Sequence, residues 1–321
     1  MRVLVTGGAG YIGSTAAAIL LERGFEVTVL DDCSTGHTDA VPSGAKFVQG
    51  SILDASVVGQ ALVGCDAVIH FAAKSLVGES VEKPELYYEV NVNGTKNLLA
   101  EMEKAGVKKL VFSSTAATYG EPESTPISES ATTKPTNPYG ETKLTVDQMI
   151  TAESSKGLAA ISLRYFNVAG AYKSKTGWLA ERHNPETHLI PNLLRATEAN
   201  PLKVFGNDWP TSDGTCIRDY IHVVDLIDAH ILAIEKVATG KHSIINLGSG
   251  GGYSVTEVIS AASKVIGKQI PIQITSRRAG DPAVLIAEIT KAERELGWLP
   301  LRKVEDMVRD TWESQNATTA E

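Results

Sequence analysis

The sequence predicts an α/β fold built on a doubly wound parallel sheet, and three observations carry that expectation. A short apolar strand, Arg2–Thr6, runs into the glycine-rich turn Gly7-Gly8-Ala9-Gly10-Tyr11-Ile12-Gly13 and then into a helical pattern. Strand-length apolar runs and helix-length segments go on alternating to Ser113, the mark of repeated βα units. The 321 residues are 43% hydrophobic and 21% charged, enough to bury a large core.

In the first unit, Ser14–Arg23 reads as a helix closed by Gly24, and Glu26–Leu30 as a second strand with Asp31 at its end. The turn contains both GxGxxG (Gly8, Gly10, Gly13) and GxxGxxG (Gly7, Gly10, Gly13). Glycines at these spacings let the backbone approach a pyrophosphate, whose charge the helix amino terminus stabilises. A carboxylate closing the second strand can accept hydrogen bonds from an adenosine ribose. The glycine turn alone would be an ordinary strand–helix connection. With strand, helix and acid in register it predicts a dinucleotide site of Rossmann type. Asp31-Asp32 would repel a 2′-phosphate, and no Arg or Lys follows until Lys46, so NAD is expected rather than NADP.

The next elements continue the alternation. Ala45–Gln49 is predicted as a strand, Ala55–Val63 as a helix, and Ala67–Phe71 as a strand ending in Ala72-Ala73. One helix is expected over 84–105, with Asn91-Val92-Asn93-Gly94-Thr95 inside it, followed by a strand Lys109–Ser113. Ligands of such sheets bind beyond the carboxyl ends of the strands. Phe71-Ala72-Ala73 and Ser113-Ser114-Thr115 are therefore expected near the cofactor, although the three hydroxyls read equally as loop caps. Gly120–Pro138 reads as a surface loop, Asn137-Pro138 as the start of a helix with Tyr139 in its first turn, and Ser314–Glu321 as a disordered tail.

Tyr139 and Lys143 carry the chemistry. Four residues apart on a helix, they share a face with Cβ atoms ~5–6 Å apart. An ammonium about 5 Å from a phenolate, at an effective dielectric of ~20, favours ionisation by roughly 3 kcal/mol. That predicts a phenol lowered by about two pKa units, able to take a proton from a sugar hydroxyl. By themselves, tyrosine and lysine four apart on a helix usually form only a surface pair.

A net charge of −8 argues against a nucleic-acid surface. No apolar run approaches the ~18 residues of a membrane span, and the short, glycine-broken start is not a secretory signal. Cys33, Cys65 and Cys216 are widely separated, without CxxC or zinc-type spacing, and read as reduced cytoplasmic thiols. His70, His183, His222 and His230 read as packing or capping residues, and no metal is expected.

TGGAGYIG (6–13), HFAA (70–73), SSTAATYG (113–120) and YGETK (139–143) together resemble the extended short-chain dehydrogenase/reductase superfamily. LRYFNVAG (163–170), FGNDWPTSDGTCIRDYIHVVDL (205–226) and RRAGD (277–281) narrow the resemblance to the UDP-glucose 4-epimerase (UDP-galactose 4-epimerase) family, from residue 1 to roughly 312. The resemblance implies a Rossmann-type NAD domain, residues 1–166 and 219–247. It also implies a smaller mixed α/β domain for the UDP-sugar, residues 167–218 and 248–321. It implies a cytoplasmic enzyme of galactose metabolism, a homodimer paired through helices around 84–105 and 138–157. The activity implied is reversible C4 epimerisation of UDP-glucose and UDP-galactose through a 4-keto sugar, with NAD retained throughout. The alternative is another UDP-sugar, such as UDP-N-acetylglucosamine or UDP-glucuronate.

Carried over position by position, the resemblance makes Tyr139 the acid/base. Lys143 tunes it and holds the nicotinamide ribose, and Thr115 bonds the reacting hydroxyl. NAD would be surrounded by Gly7, Gly10, Tyr11, Ile12, Gly13, Asp31, Asp32, Ser34, Thr35, Gly36, Ser51, Ile52, Phe71, Ala72, Ala73, Lys74, Asn91 and Tyr165, together with Tyr139 and Lys143. The UDP-sugar would meet Phe166, Asn167, Arg218, Arg278 and Asp281, with His188-Leu189 and Val204-Phe205 lining uracil and diphosphate. Fork-shaped, permanently charged arginines suit a diphosphate on independent grounds. Four positions depart from the family pattern. Thr115 replaces a usual serine, Ser51 a usual aspartate, and Ser75 stands where some members place the lysine found here at 74. Leu285 occupies the position that gates the hexose pocket, an intermediate size that points to unacetylated sugars. Ala116-Ala117 lack the acids that 4,6-dehydratases use to eliminate water. A non-catalytic NAD-binding relative would be expected to lose Tyr139 or Lys143, and both are present.

Overall fold

The computed structural model of the chain describes residues 1–278 and 281–317. Its centre is a seven-stranded sheet. Six strands come in chain order from the first half: β1 (Arg2–Thr6), β2 (Glu26–Asp31), β3 (Lys46–Gln49), β4 (Ala67–His70), β5 (Lys109–Thr115) and β6 (Ala159–Tyr165). The seventh, His242–Leu247, arrives much later and pairs with β6. Across the sheet the order is His242–Leu247, β6, β5, β4, β1, β2, β3, and every neighbouring pair is parallel. This is the predicted doubly wound arrangement. Helices cover both faces, so Val3, Leu4, Val5, Val68, Ile69, Leu110 and Val111 are all fully buried and the inner strands read as unbroken apolar runs. The strand order reverses between β1 and β4, and the crevice at such a switch point is where α/β sheets take ligands.

One helix differs from its expected form in a way that shapes that crevice. The expected helix at 84–105 is α-helical over Pro84–Tyr87, opens into a π-turn over Tyr88–Asn93, and resumes as Gly94–Ala105. The wider turn carries Asn91, whose side-chain amide donates to the Lys74 carbonyl (3.0 Å) and to Thr142 Oγ1 (3.0 Å). Asn91 Oδ1 in turn accepts from the Lys74 backbone N–H at 2.8 Å. Single-turn insertions of this kind are rare in helices and are frequent at functional sites. The helix Pro138–Ser154 begins as expected, with Asn137 capping the Gly140 N–H at 2.9 Å and Pro138 at its first position. A short helix, Val77–Glu82, lies in a stretch for which the sequence offered no element. The expected tail is corrected in part: Val304–Ala317 is helical, which takes in Ser314–Ala317, while 318–321 lie outside the described residues.

The remaining strands are short and lie outside the main sheet. Leu202–Phe205 pairs with Ile272–Thr275, Ile217–Arg218 lies between Tyr253–Ser254 and Val284–Leu285, and Tyr220–His222 pairs with Asn167–Ala169. They share a separate core that includes Ile190, Leu193, Val204, Val258, Met307 and Val308. Asp219, fully buried, ties the two regions together. Its carboxylate accepts from the Ser249 N–H and hydroxyl (both 2.6 Å), the Gly250 N–H (3.2 Å) and the Ala287 N–H (3.0 Å).

Three histidines pack as the sequence suggests. His70 is sandwiched between Thr6 Oγ1 (2.6 Å) and Thr95 Oγ1 (2.8 Å), His222 caps the Val224 N–H, and His230 Nδ1 lies 2.8 Å from the Leu226 carbonyl. Burial, with the Lys143 charge adding to it, lowers His70 to about 3. The folded value lies below the unfolded one, so the unfolded chain binds the extra proton. Stability is then complete above the unfolded value near 6.5 and is lost as pH falls from there toward 3. For His70 alone the loss between about pH 7.5 and about pH 5 is on the order of 2 kcal/mol. Urea unfolding of His70→Asn should show a pH dependence flatter by about that amount; an unchanged slope would place the acid sensitivity elsewhere.

Candidate active site

The glycine turn is a steric necessity. Gly7 has φ +71°, and a Cβ there would sit 2.6 Å from the Ala72 nitrogen; a Cβ at Gly13 would sit 2.1 Å from the Gly7 carbonyl oxygen. The turn feeds helix α1 (Tyr11–Glu22), whose N-cap is Gly10 and whose first turn has neither a side-chain cap nor an acidic residue. Its leading N–H groups therefore face the crevice with the positive end of the helix dipole, as a pyrophosphate requires. Asp31 stands at the end of β2 and accepts from the Ala9 N–H (2.9 Å) and the Cys33 N–H (2.7 Å). Each of its oxygens keeps a second lone pair. The Asp31 carboxyl is raised by burial, an effect its two backbone hydrogen bonds oppose. Tyr11 reaches the segment after Asn167–Ala169, donating to the Gly170 carbonyl at 2.6 Å.

Thr115 ends β5 and caps the turn that follows, its hydroxyl accepting from the Ala117 N–H at 3.2 Å. Tyr139 and Lys143 project from the helix Pro138–Ser154. Lys143 is 3% exposed, donates to the Ser113 carbonyl at 2.7 Å, and lies 6.0 Å from the centre of the Tyr139 ring. The Ser113 hydroxyl bonds the Tyr165 hydroxyl. Here the sequence argument is corrected. Burial pushes the Tyr139 phenol up to about 12, partly offset by its hydrogen bond with Thr115. Burial also lowers the Lys143 ammonium to about 8, against the pull of Asp147. Helix-neighbour arithmetic counted the ammonium's attraction and omitted the desolvation both groups suffer.

These residues open on one cleft of about 1590 Å³. It is lined by every residue singled out from the sequence for cofactor or substrate except Gly8, Asn91 and Ser114, and by Ser75 and Leu285. Asn91 is 2% exposed and holds the Lys74 backbone from behind the wall. Lys74 reaches Ser34 Oγ at 3.4 Å, and the Ser51 hydroxyl accepts from the Leu53 N–H. On the opposite wall the Arg278 guanidinium stacks on Phe205 at 3.8 Å from the ring centre. Arg218 is braced by the carbonyls of Ile217 (2.9 Å) and Pro282 (2.8 Å), with Asp281 at 3.7 Å. Asn167 donates to the Asp219 carbonyl, and Leu285 pairs with Arg218 in adjacent strands.

The sequence missed two parts of this lining. The helix Val77–Glu82 closes the side beside Lys74. Glu181, His183 and Glu186 join His188 in the wall next to Leu189. His188 Nδ1 lies 2.8 Å from Glu181 and 3.0 Å from Glu186. These carboxylates raise His188 to about 10 against the opposing effect of burial. His183 thus stands among carboxylates, where the sequence suggested simple packing. The signal was available in the alternation Glu-x-His-x-x-Glu-x-His.

Comparison with known proteins agrees with this geometry. Residues 3–248 match the model of the NAD dependent epimerase/dehydratase family. The UDP-glucose 4-epimerase of Corynebacterium glutamicum is 53% identical over 318 residues, covering 97% of this chain and 95% of its own. That of Lactobacillus helveticus is 50% identical, covering 97% and 96%. A UDP-glucose 4-epimerase from Stenotrophomonas maltophila, crystallised with NAD and formylated UDP-arabinopyranose, superposes with a TM-score of 0.95 at 39% identity over 99% of both chains. The chain therefore belongs to the NAD dependent epimerase/dehydratase family.

The glycine turn gives a direct test. Gly13→Ala cannot close against the Gly7 carbonyl, so the folded variant should purify with little bound nicotinamide cofactor, measured by chromatography of the released nucleotide. Wild-type cofactor content in that variant would remove the turn from the binding site.

Proposed function

We propose that this protein interconverts UDP-glucose and UDP-galactose by inverting C4 of the hexose, with NAD as its bound cofactor. The observation that carries this reading is a single cleft with two chemically different walls. One has the uncapped start of α1 with Thr115, Tyr139 and Lys143; the other has Arg218 and Arg278. When bound, NAD supplies a reversible two-electron acceptor for the hydrogen on C4 and a positive charge that favours the ionised phenol.

The chain's own residues do the rest. Tyr139 takes the proton from the 4-hydroxyl and later returns it, while Thr115 bonds both the phenol and the reacting oxygen. Lys143, protonated below about 8, stabilises the phenolate. Arg218 and Arg278 hold the diphosphate, so the 4-keto sugar can swing about that anchor and present its other face. The centre inverts with no net oxidation. Ala116-Ala117 offer no acid for a competing elimination.

General acid–base assistance contributes ~10²–10⁴ in rate. Tyr139→Phe should lose at least that much kcat in a coupled assay with UDP-galactose, while calorimetry shows UDP still bound; near-wild-type turnover would refute the assignment. With Leu285 lining the hexose end, the same assay should run more slowly on UDP-N-acetylgalactosamine.

We further read the protein as a cytoplasmic homodimer. The free thiols of Cys33, Cys65 and Cys216 suit a reducing compartment. Among the described residues no helix is long and apolar enough to cross a membrane. Val81 (64% exposed) lies just before, and Tyr88 (52%) within, the helical stretch expected to pair. Sedimentation should give twice the 34.2 kDa chain mass, and a monomer at micromolar concentration would reject the dimer.

A further inference from the structure

We propose that Glu181, His183, Glu186 and His188 form a binding site for a divalent transition-metal ion of the zinc class, which clips the loop walling the cleft. Their four donor atoms lie within 4.8 Å of one another. The contacts are Glu181 Oε1 to His183 Nδ1 at 2.8 Å, Glu181 Oε1 to His188 Nδ1 at 2.8 Å, and Glu186 Oε1 to His188 Nδ1 at 3.0 Å.

Two further features separate this cluster from an ordinary ion-pair patch. The carboxylates are almost wholly removed from water, at 7% exposure for Glu181 and 3% for Glu186. Yet among the described residues His183 Nδ1 and Glu186 Oε2 have no hydrogen-bond partner. His183 touches Glu181 without the alignment a hydrogen bond needs. Glu186 Oε1 accepts from His188 Nδ1 (3.0 Å) and from the N–H groups of Thr187 (2.8 Å) and His188 (2.9 Å), so hydrogen bonds hold the cluster together while His183 Nδ1 and Glu186 Oε2 are left over beside it. Leaving such atoms unpaired is costly in a protein interior.

The chemistry of the set selects the ion. Two imidazoles and two carboxylates suit zinc and its first-row neighbours, whereas calcium and magnesium take oxygen ligands. Bonds of about 2.0–2.2 Å in tetrahedral geometry put donors about 3.4 Å apart. The present contacts would therefore open by about half an ångström. An entering ion displaces the proton on His188, as metal binding to imidazole requires.

The location gives the site a purpose. Residues 181–188 have no regular secondary structure and join the hairpin Tyr172–Leu179 to the helix Leu189–Leu194. One ion would fasten both ends of this loop to each other. It would also neutralise two carboxylates set in the wall of a cleft read here as taking a diphosphate. The ion's binding does not depend on that reading.

The test uses full-length protein stripped with a chelator, then titrated with Zn²⁺ in the absence of any UDP-sugar. Wild type should take up about one equivalent saturably, with a raised thermal midpoint, and Co²⁺ should give the visible absorption of a four-coordinate ion. His183→Asn and Glu186→Gln, each checked as folded by circular dichroism, should each weaken uptake by at least about tenfold. No saturable uptake by wild type, or equal uptake by a folded variant, would overturn the proposal. If one variant fails to fold, the other decides. Because no turnover is measured, failure here leaves the epimerase reading untouched, and the reverse also holds.

Discussion

The backbone of Gly7 lies against that of Ala72, and the backbone of Gly13 against the carbonyl of Gly7, with no room at either point for a side chain. These contacts bring the start of α1 down onto the ends of β1 and β4, where the strand order reverses. The rest of the site depends on that approach. It aims N–H groups that are unpaired among the described residues into the crevice and sets Tyr11 across to the Gly170 carbonyl. A looser turn would move the helix dipole away from the ligand and part the two walls together.

The proposed chemistry needs charge in a place where burial opposes it. Lys143 is a buried cation, and its position is made tolerable by the Ser113 carbonyl and by Asp147 one helical turn further on. Asp147 is itself paired with Arg164 at 2.8 Å, both 2% exposed, and accepts from the Ser114 hydroxyl. Arg164 also lies over the Tyr119 ring. Buried pairs of this kind contribute little net stability, because desolvation consumes most of the attraction. What they do here is hold β5, β6 and the Tyr139 helix in one register, so that Thr115, Tyr139 and Lys143 keep their relative positions.

The second wall is assembled differently. Arg218, Leu285 and Asn167 come from short strands with few ladder hydrogen bonds of their own. Buried Asp219 compensates by gathering the chain after the last sheet strand and the chain after Leu285 onto one carboxylate. Arg278 is steadied by stacking on Phe205.

Much of the first wall was legible because its determinants are local. A glycine turn, a strand end and a pair four apart on a helix are all encoded within a dozen residues. The inward-facing Asn91 was harder: its position depends on a π-turn, which nothing in Tyr88–Asn93 announces. The direction of the Tyr139 shift was misjudged for a related reason, since neighbours along a helix can be counted but burial cannot. The Glu181–His188 cluster escaped because only His183 and His188 were weighed, each alone, and neither glutamate was considered beside them. What the sequence alone determined is the parallel sheet and the dinucleotide turn, because short-range sterics and periodicity dictate them. Only the tertiary structure decided which charges are stripped of water and which distant residues face one another, because desolvation and cleft geometry arise only when segments far apart in the chain are packed together.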